Sequence, residues 1–290
     1  MKNLAIESFN VVHSLFLDSN GIPIKFSLRD KSNTQDDPFD EYIASSINAK
    51  LLPKGIKCQK SSGPLISPDM AVFNADLDIS NPAIENNINE IIGIEVKKLE
   101  RAKNGTIARP TGIDYNSTPP CGKVKIFTQD NQPIVIKGYY LFACLENDEN
   151  GNDYVNTLCL CDGSIINDDF SLYSQITGSR EKGINIGTYG DGANRNRPML
   201  IFANPLGADI LDKKFTLISG IDLGESFGNM RMVWRFIRTD IKSKEHIFYV
   251  YMDYKDVDVE LTIVDIKEPF PTPKKRVKET QGRGKFRLEL

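Results

Sequence analysis

Two strand-like runs, each interrupted by ionisable residues, place the strongest constraint on how this chain can fold. The first, Leu65–Phe73, is largely apolar and carries a single acid, Asp69, while the second, Ile91–Leu99, is a β-branched run broken by Glu95 and two lysines. Both compositions favour β-strands. Because side chains alternate between the two faces of a strand, Glu95 and Lys97 share one face. If the strands are neighbours, Asp69, Glu95 and Lys97 meet at one place.

Two carboxylates beside a lysine are suited to phosphoryl chemistry. Buried carboxylates are costly unless they are paired or bound to a cation, and both Asp69 and Glu95 interrupt runs that otherwise read as buried. Carboxylate oxygens are the ligands that Mg²⁺ prefers, and a bound Mg²⁺ polarises a phosphoryl oxygen. A lysine at the same place can orient an attacking water.

The segment Pro68-Asp69, 25 intervening residues and Glu95-Val96-Lys97 resembles the core motif of the PD-(D/E)xK nuclease superfamily. The resemblance implies a restriction-endonuclease-like fold of the α/β (α+β) class, with a mixed central β-sheet flanked by helices and extended by antiparallel strands. It also implies Asp69, Glu95 and the carbonyl of Val96 as ligands of Mg²⁺, and Lys97 as the residue that positions the attacking water.

The same resemblance, together with the chain length of 290 residues, suits a type II restriction endonuclease. Such an enzyme hydrolyses both strands of a specific double-stranded DNA sequence and leaves 5′-phosphate ends. A palindromic site would match the symmetry of a homodimer, and a cognate DNA methyltransferase would be its functional companion.

Two other functions fit the same residues. Another nuclease of the superfamily, acting in repair or on DNA junctions, would use the same motif. A non-catalytic, β-rich binding protein would instead use Glu95 and Lys97 as a surface ion pair and Asp69 as a turn residue. Asp76 and Asp78 are alternative metal ligands if Asp69 does not reach the site.

Two amphipathic helices are expected before the motif, over Ala5–Leu17 and Phe39–Leu52. Asp37 is placed to cap the second helix, with Pro38 as its first residue. The resemblance makes Glu41 a possible additional acid at the metal site, since an acid from an N-terminal helix often contributes there. By its spacing alone, however, the position of Glu41 in a first helical turn favours a solvated acid that interacts with the helix dipole.

Basic and amide side chains that can contact DNA concentrate in three places: the end of the motif, the long irregular stretch that follows it, and a glycine-rich stretch further on. Irregular stretches of this length are commonly functional, and arginine and asparagine can pair with guanine and adenine. The residues predicted to contact DNA are Lys98, Arg101, Lys103, Arg109, Tyr115, Asn116, Asn194, Arg195 and Arg197.

The remaining chain predicts one domain over residues 1–290. We divide it into an N-terminal helical part (1–62), a catalytic core (63–128), a strand-rich part for the core and DNA recognition (129–268) and a basic tail (269–290). The strands of the third part are expected over the ranges Ile134–Leu145, Tyr154–Cys161, Pro198–Asn204, Phe215–Ser219, Met230–Thr239, His246–Tyr254 and Val257–Ile266. From residue 274 onward, seven basic residues face two acidic ones, a balance that suits either a solvated tail or an arm that binds phosphate.

Composition is consistent with a folded, water-soluble protein. The formal net charge of −3 argues against a non-specific nucleic-acid coat, although a nuclease needs only local positive charge around its cleft. No apolar run approaches the length of a membrane span, and the N-terminal residues lack a secretory core. We therefore expect a cytoplasmic protein without a membrane partner. The five scattered cysteines do not have zinc-site spacing.

Overall fold

A mixed β-sheet of eleven strands organises the part of the chain that the structure describes. The computed structural model describes residues 3–30, 37–62, 68–100, 122–166, 168, 172, 209–257 and 262–267. The strands are β1 (Ile56–Lys60), β2 (Met70–Asn74), β3 (Ile91–Glu100), β4 (Lys123–Phe127), β5 (Pro133–Asn147), β6 (Asp153–Asp162), β7 (Phe215–Ser219), β8 (Ser226–Phe227), β9 (Met230–Thr239), β10 (Glu245–Asp253) and β11 (Val264–Ile266).

Neighbouring strands follow the order β1-β2-β3-β5-β6-β7-β10-β9-β11, with β4 also paired to β5 and β8 to β9. The β3–β5, β6–β7 and β9–β11 pairs are parallel, and the other pairs are antiparallel. The β4-β5-β6 meander and the β9–β10 hairpin are sequential antiparallel elements, while β3–β5 and β6–β7 require crossover connections. The sheet is therefore mixed, as the sequence predicted.

Two helices cover one face of this sheet. Helix α1 (Leu4–Phe16) begins at Asn3, whose side chain accepts the amides of Ala5 and Ile6. Helix α2 (Pro38–Leu51) has Pro38 in its first turn and Asp37 as its cap, the arrangement expected from the sequence. The rings of Phe16 and Phe39 stack with their centroids 5.7 Å apart, so the two helices share an aromatic contact.

The hydrophobic residues are divided between the two faces of the sheet. On the helical face, α1 and α2 pack on alternate residues of β3 and β5, including Ile94, Val96 and Leu141. The opposite face contains a second cluster around Tyr140 and Phe142 of β5. Ile94 and Val96 point towards the helices. Because side chains alternate along a strand, Glu95 and Lys97 point towards the opposite face.

Gly93 of β3 permits a close approach that larger residues would prevent. A Cβ atom at this position would lie 2.5 Å from Cγ2 of Val124 and 2.9 Å from Cγ of Pro68. Pro68 therefore rests directly on the backbone of β3, and the residue that follows it, Asp69, is held beside that strand.

Most predicted elements in the described ranges are confirmed to within about two residues, although Pro68 and Asp69, which were predicted inside a strand, precede β2. The N-terminal part, however, was predicted as helical and also contributes β1. The sequence of β1 contains only two apolar residues, Ile56 and Cys58, which are buried between exposed ones. This alternation is too weak to predict a strand. For the strand predicted over Val257–Ile266, the described residues form a strand over Val264–Ile266, and residues 258–261 lie outside the described ranges. The strand predicted over Pro198–Asn204 also lies outside them. No helix in the described ranges is long and apolar enough to cross a membrane.

The Gly93→Ala substitution is expected to destabilise the protein by about 1–3 kcal/mol, because the added methyl overlaps Pro68 and Val124. Urea unfolding measures this effect. The matched control is Gly220→Ala, where the nearest atoms would lie 3.6 Å from the new Cβ. Equal stability of the two variants would show that the close packing of Pro68 on β3 is not present in solution.

Candidate active site

The pairing of β2 with β3 brings the two halves of the motif together. In this antiparallel pair Met70 lies opposite Ile94. Asp69 immediately precedes Met70 along the chain and Glu95 immediately follows Ile94, so the two acids lie at the same end of the pair. The expectation that the two runs are neighbouring strands is confirmed.

Asp69 is held between β1 and β3. Its backbone carbonyl accepts the amide of Ser61, which follows β1, at 2.8 Å. Its Oδ2 atom accepts the amide of Val96 at 2.7 Å. The carboxylate thus takes the place of a backbone acceptor where β2 begins, and its position is set by the sheet itself.

Glu95 and Lys97 project together from β3 and form an ion pair, with 2.7 Å between Lys97 Nζ and Glu95 Oε1. Glu95 is only 5% exposed. Among the described residues, its second oxygen, Oε2, is buried and has no hydrogen-bond partner. A buried carboxylate oxygen without a partner is costly, and a cation or a hydrogen-bond donor from beyond the described residues would remove that cost.

The acid of α2 whose charge acts on this cluster of Asp69, Glu95 and Lys97 is Asp40, not Glu41. Glu41 is exposed and forms an ion pair with Arg29, with 2.7 Å between Nη2 and Oε2. Asp40 lies three and seven residues before the buried Ile43 and Ile47, a spacing that puts it on the inward side of the helix. The helical period could have identified Asp40, because Glu41 lies one residue, or about 100°, away from that side.

The acids of the cluster perturb one another. Burial, then the charges of Glu95 and Asp40, raises the pKa of Asp69 well above its ordinary value, although Lys97 and the Val96 amide act in the opposite direction. Burial, then Asp37 and Glu95, raises the pKa of Asp40 to about 7, against the opposing charges of Lys97 and Lys60. Carboxylates that share a site in this way bind protons or cations readily.

Lys97 is held in its charged form. Burial alone lowers the pKa of its ammonium group, but the charges of Glu95, Asp69 and Asp40 outweigh burial and the net pKa is raised. In this state Lys97 donates hydrogen bonds and does not accept a proton. Its role at the site is therefore to orient an oxygen atom or to neutralise negative charge.

The donor atoms suit a hard divalent cation. Asp69 and Glu95 supply carboxylate oxygens, and the Glu95 Oε2 atom lacks a partner among the described residues. Within the described ranges, however, no group of three or more histidine, cysteine, aspartate or glutamate side chains converges as a metal site. A bound cation would therefore depend on two carboxylates, a backbone carbonyl such as that of Val96, and water.

The other predicted residues lie apart from this cluster or outside the described ranges. Lys98 points to the helical face and pairs with Asp37. Asp78, a possible alternative ligand, accepts the amide and hydroxyl of Ser80 in an exposed turn. The predicted DNA-contacting residues that fall outside the described ranges are Arg101, Lys103, Arg109, Tyr115, Asn116, Asn194, Arg195 and Arg197.

The acid cluster, which consists of Asp40, Asp69 and Glu95 with Lys97, does not line either of two large cavities in the described structure. One, of about 790 Å³, lies around Phe215 and Trp234, and the other, of about 740 Å³, lies around Ile92 and Tyr139. The cluster instead lies at the end of the β2–β3 pair.

The Asp40→Asn substitution is expected to stabilise the protein at neutral and higher pH. The pKa of Asp40 is about 7 in the folded chain against an ordinary 3.8, so the folded state binds this proton more tightly and loses stability as the pH rises from about 4 to about 7. The gain should reach about 1–4 kcal/mol near pH 8 and vanish near pH 4, as urea unfolding without divalent cations would measure. A gain independent of pH would contradict this assignment, and exposed Glu41→Gln is the control.

Comparison with known proteins returned no match: no protein-family model, no curated protein and no solved structure is significantly similar to this chain.

Proposed function

We propose that this protein is a Mg²⁺-dependent nuclease whose active site comprises Asp69, Glu95 and Lys97, with Asp40 beside them. The observation that carries the proposal is the meeting of two partly or fully buried carboxylates and a charged lysine at one end of the β2–β3 pair, where Glu95 Oε2 has no partner among the described residues. Structural ion pairs seldom leave a buried carboxylate oxygen unsatisfied.

Each residue has a distinct role in this proposal. Asp69 and Glu95 would hold Mg²⁺, together with the carbonyl of Val96. When bound, Mg²⁺ supplies Lewis-acid polarisation of a phosphoryl oxygen and neutralises developing charge. Lys97 orients the water that attacks phosphorus and stays protonated while it does so, because the surrounding acids raise its pKa. Asp40 adds negative charge on the side of the site next to α2.

The preferred substrate is double-stranded DNA. Water attacks the phosphorus and the bond to the 3′ oxygen breaks. The leaving fragment takes up a proton and ends in a 3′ hydroxyl, and the phosphate stays on the 5′ end of the other fragment. By the resemblance of the motif, we extend the proposal to a type II restriction endonuclease that acts as a homodimer on a specific site, with a companion methyltransferase.

The direct test is digestion of unmethylated phage DNA by the full chain in Mg²⁺ and in EDTA. Discrete fragments in Mg²⁺ alone are expected, and sequencing their ends would identify the site and the stagger. A smear would indicate a non-specific nuclease, or one that acts in repair or on junctions, and not a restriction enzyme. Intact DNA in the presence of folded protein would overturn the nuclease proposal and favour a binding protein.

The substitutions Asp69→Asn, Glu95→Gln and Lys97→Met are each expected to reduce the cleavage rate by at least about 10²-fold, because each removes charge stabilisation at the reacting phosphate. The proteins should remain folded and bind DNA. Glu41→Gln is the matched control and should cleave at the wild-type rate, since Glu41 faces solvent beside Arg29. Full activity in any of the three variants would remove that residue from the site.

Mg²⁺ is expected to raise the thermal unfolding midpoint of the wild-type chain and not that of Glu95→Gln. A ligand that binds only the folded state at about 100 times its Kd adds about 2.7 kcal/mol. Differential scanning fluorimetry over a series of Mg²⁺ concentrations measures this response without any substrate. An equal shift in both proteins would place the cation elsewhere and favour an ordinary ion pair between Glu95 and Lys97.

A further inference from the structure

Lys98 and its neighbour Lys97 form ion pairs with different parts of the structure. The two lysines are consecutive on β3 and therefore point to opposite faces. Lys97 joins Glu95 in the acid cluster, whereas Lys98 reaches the start of α2, with 3.1 Å between its Nζ and Oδ2 of Asp37. Both partners are mostly shielded from solvent, with side chains 20% and 27% exposed.

Asp37 uses the same carboxylate to begin the helix. Its Oδ1 atom accepts the amide of Phe39 at 3.1 Å, as expected of an N-cap. Oδ1 also lies 3.4 Å from Lys98 Nζ. The ion pair therefore ties the cap of α2 to the central strand that carries Glu95 and Lys97.

This connection matters because Asp40 lies in the turn that Asp37 caps. The remainder of α2 is held by apolar packing, with Ile43 and Ile47 fully buried. Apolar contacts constrain position less sharply than a charged hydrogen bond with defined geometry. The side of the first turn that faces β3 is secured by Lys98, and Asp40 is on that turn.

We propose that Lys98 is a positioning residue, which holds the first turn of α2 against β3 through Asp37 and so fixes the position of the Asp40 carboxylate, whose charge acts on Asp69 and Glu95. The inference rests on the proposed nuclease function for its catalytic consequence. It gives the two lysines of β3 different roles. Lys97 acts at the reacting phosphate, and Lys98 holds α2 on the opposite face of the sheet. It also differs from the expectation that Lys98 contacts DNA.

The two roles of Lys98 predict different measurements. A lysine that contacts a phosphate contributes to DNA affinity and to its dependence on salt concentration, with a slope change of about one when it is removed. A positioning lysine leaves both unchanged and alters the cleavage rate and the Mg²⁺ concentration needed for cleavage. The effect of disturbing groups that orient metal ligands is about 10- to 100-fold.

The experiment compares Lys98→Met with Asp37→Ser, since serine preserves an N-cap but cannot form the ion pair. We expect each variant to lower the single-turnover cleavage rate about 10-fold and to raise the Mg²⁺ requirement. DNA affinity, measured in EDTA at several salt concentrations, should stay at the wild-type value. The double variant should be no slower than either single one, and Lys98→Arg should restore most of the rate.

Two results would overturn the inference. One is weaker, less salt-dependent DNA binding in Lys98→Met with no effect of Asp37→Ser, which would make Lys98 a phosphate contact. The other is wild-type cleavage by both variants. If the wild-type protein itself does not cleave DNA, the nuclease proposal fails, and hydrogen exchange then decides the positioning role. Faster exchange of the first-turn amides of α2 in Lys98→Met supports that role, and unchanged exchange removes it.

Discussion

The hydrogen bond from the Val96 amide to the Asp69 carboxylate is the interaction around which the site is built. At the start of β2 a side-chain oxygen replaces the backbone acceptor that a longer strand would offer to β3. This arrangement places an acid at the end of the β2–β3 pair, directly beside Glu95. The packing of Pro68 on Gly93 fixes the backbone immediately before Asp69. The position of Asp69 therefore depends on backbone geometry and tolerates little adjustment.

Placing two acids together at the end of a strand pair creates an electrostatic problem, and the surrounding elements reduce it. Lys97 pairs with Glu95, and Lys60 at the end of β1 lowers the pKa of Asp40. Asp40 nonetheless adds a third negative charge, so the cluster remains frustrated, with raised pKa values for Asp69 and Asp40. Local conflict of this kind within an otherwise consistent fold is typical of functional sites.

Strand periodicity predicts which side chains of β3 meet at this site, whereas the angle around α2, and not the helix alone, determines which acid is on its inward side. The alternation in β3 correctly placed Glu95 with Lys97 and turned Lys98 to the other face. In α2, the expectation that Glu41 is a solvated first-turn acid agrees with its exposure and its ion pair with Arg29. The buried Ile43 and Ile47 identify Asp40 as the acid on the inward side of the helix. The edge strand β1 was also missed, because two apolar residues in five give little signal. Lys60, which it carries, could not then be connected with the acids.

By itself the sequence determined the types of chemical groups available, the two helices with their caps, most of the strands and the face of β3 on which Glu95 and Lys97 lie. These features depend on local periodicity and on residues close together in the chain. Only the tertiary structure decided which strands are neighbours, that Asp69 accepts a hydrogen bond from Val96, that the inward side of α2 brings Asp40 within electrostatic range of the acids, and that Lys98 pairs with Asp37. Each of these contacts joins residues 27 to 61 positions apart or depends on how α2 packs on the sheet, and no local pattern specifies such distances.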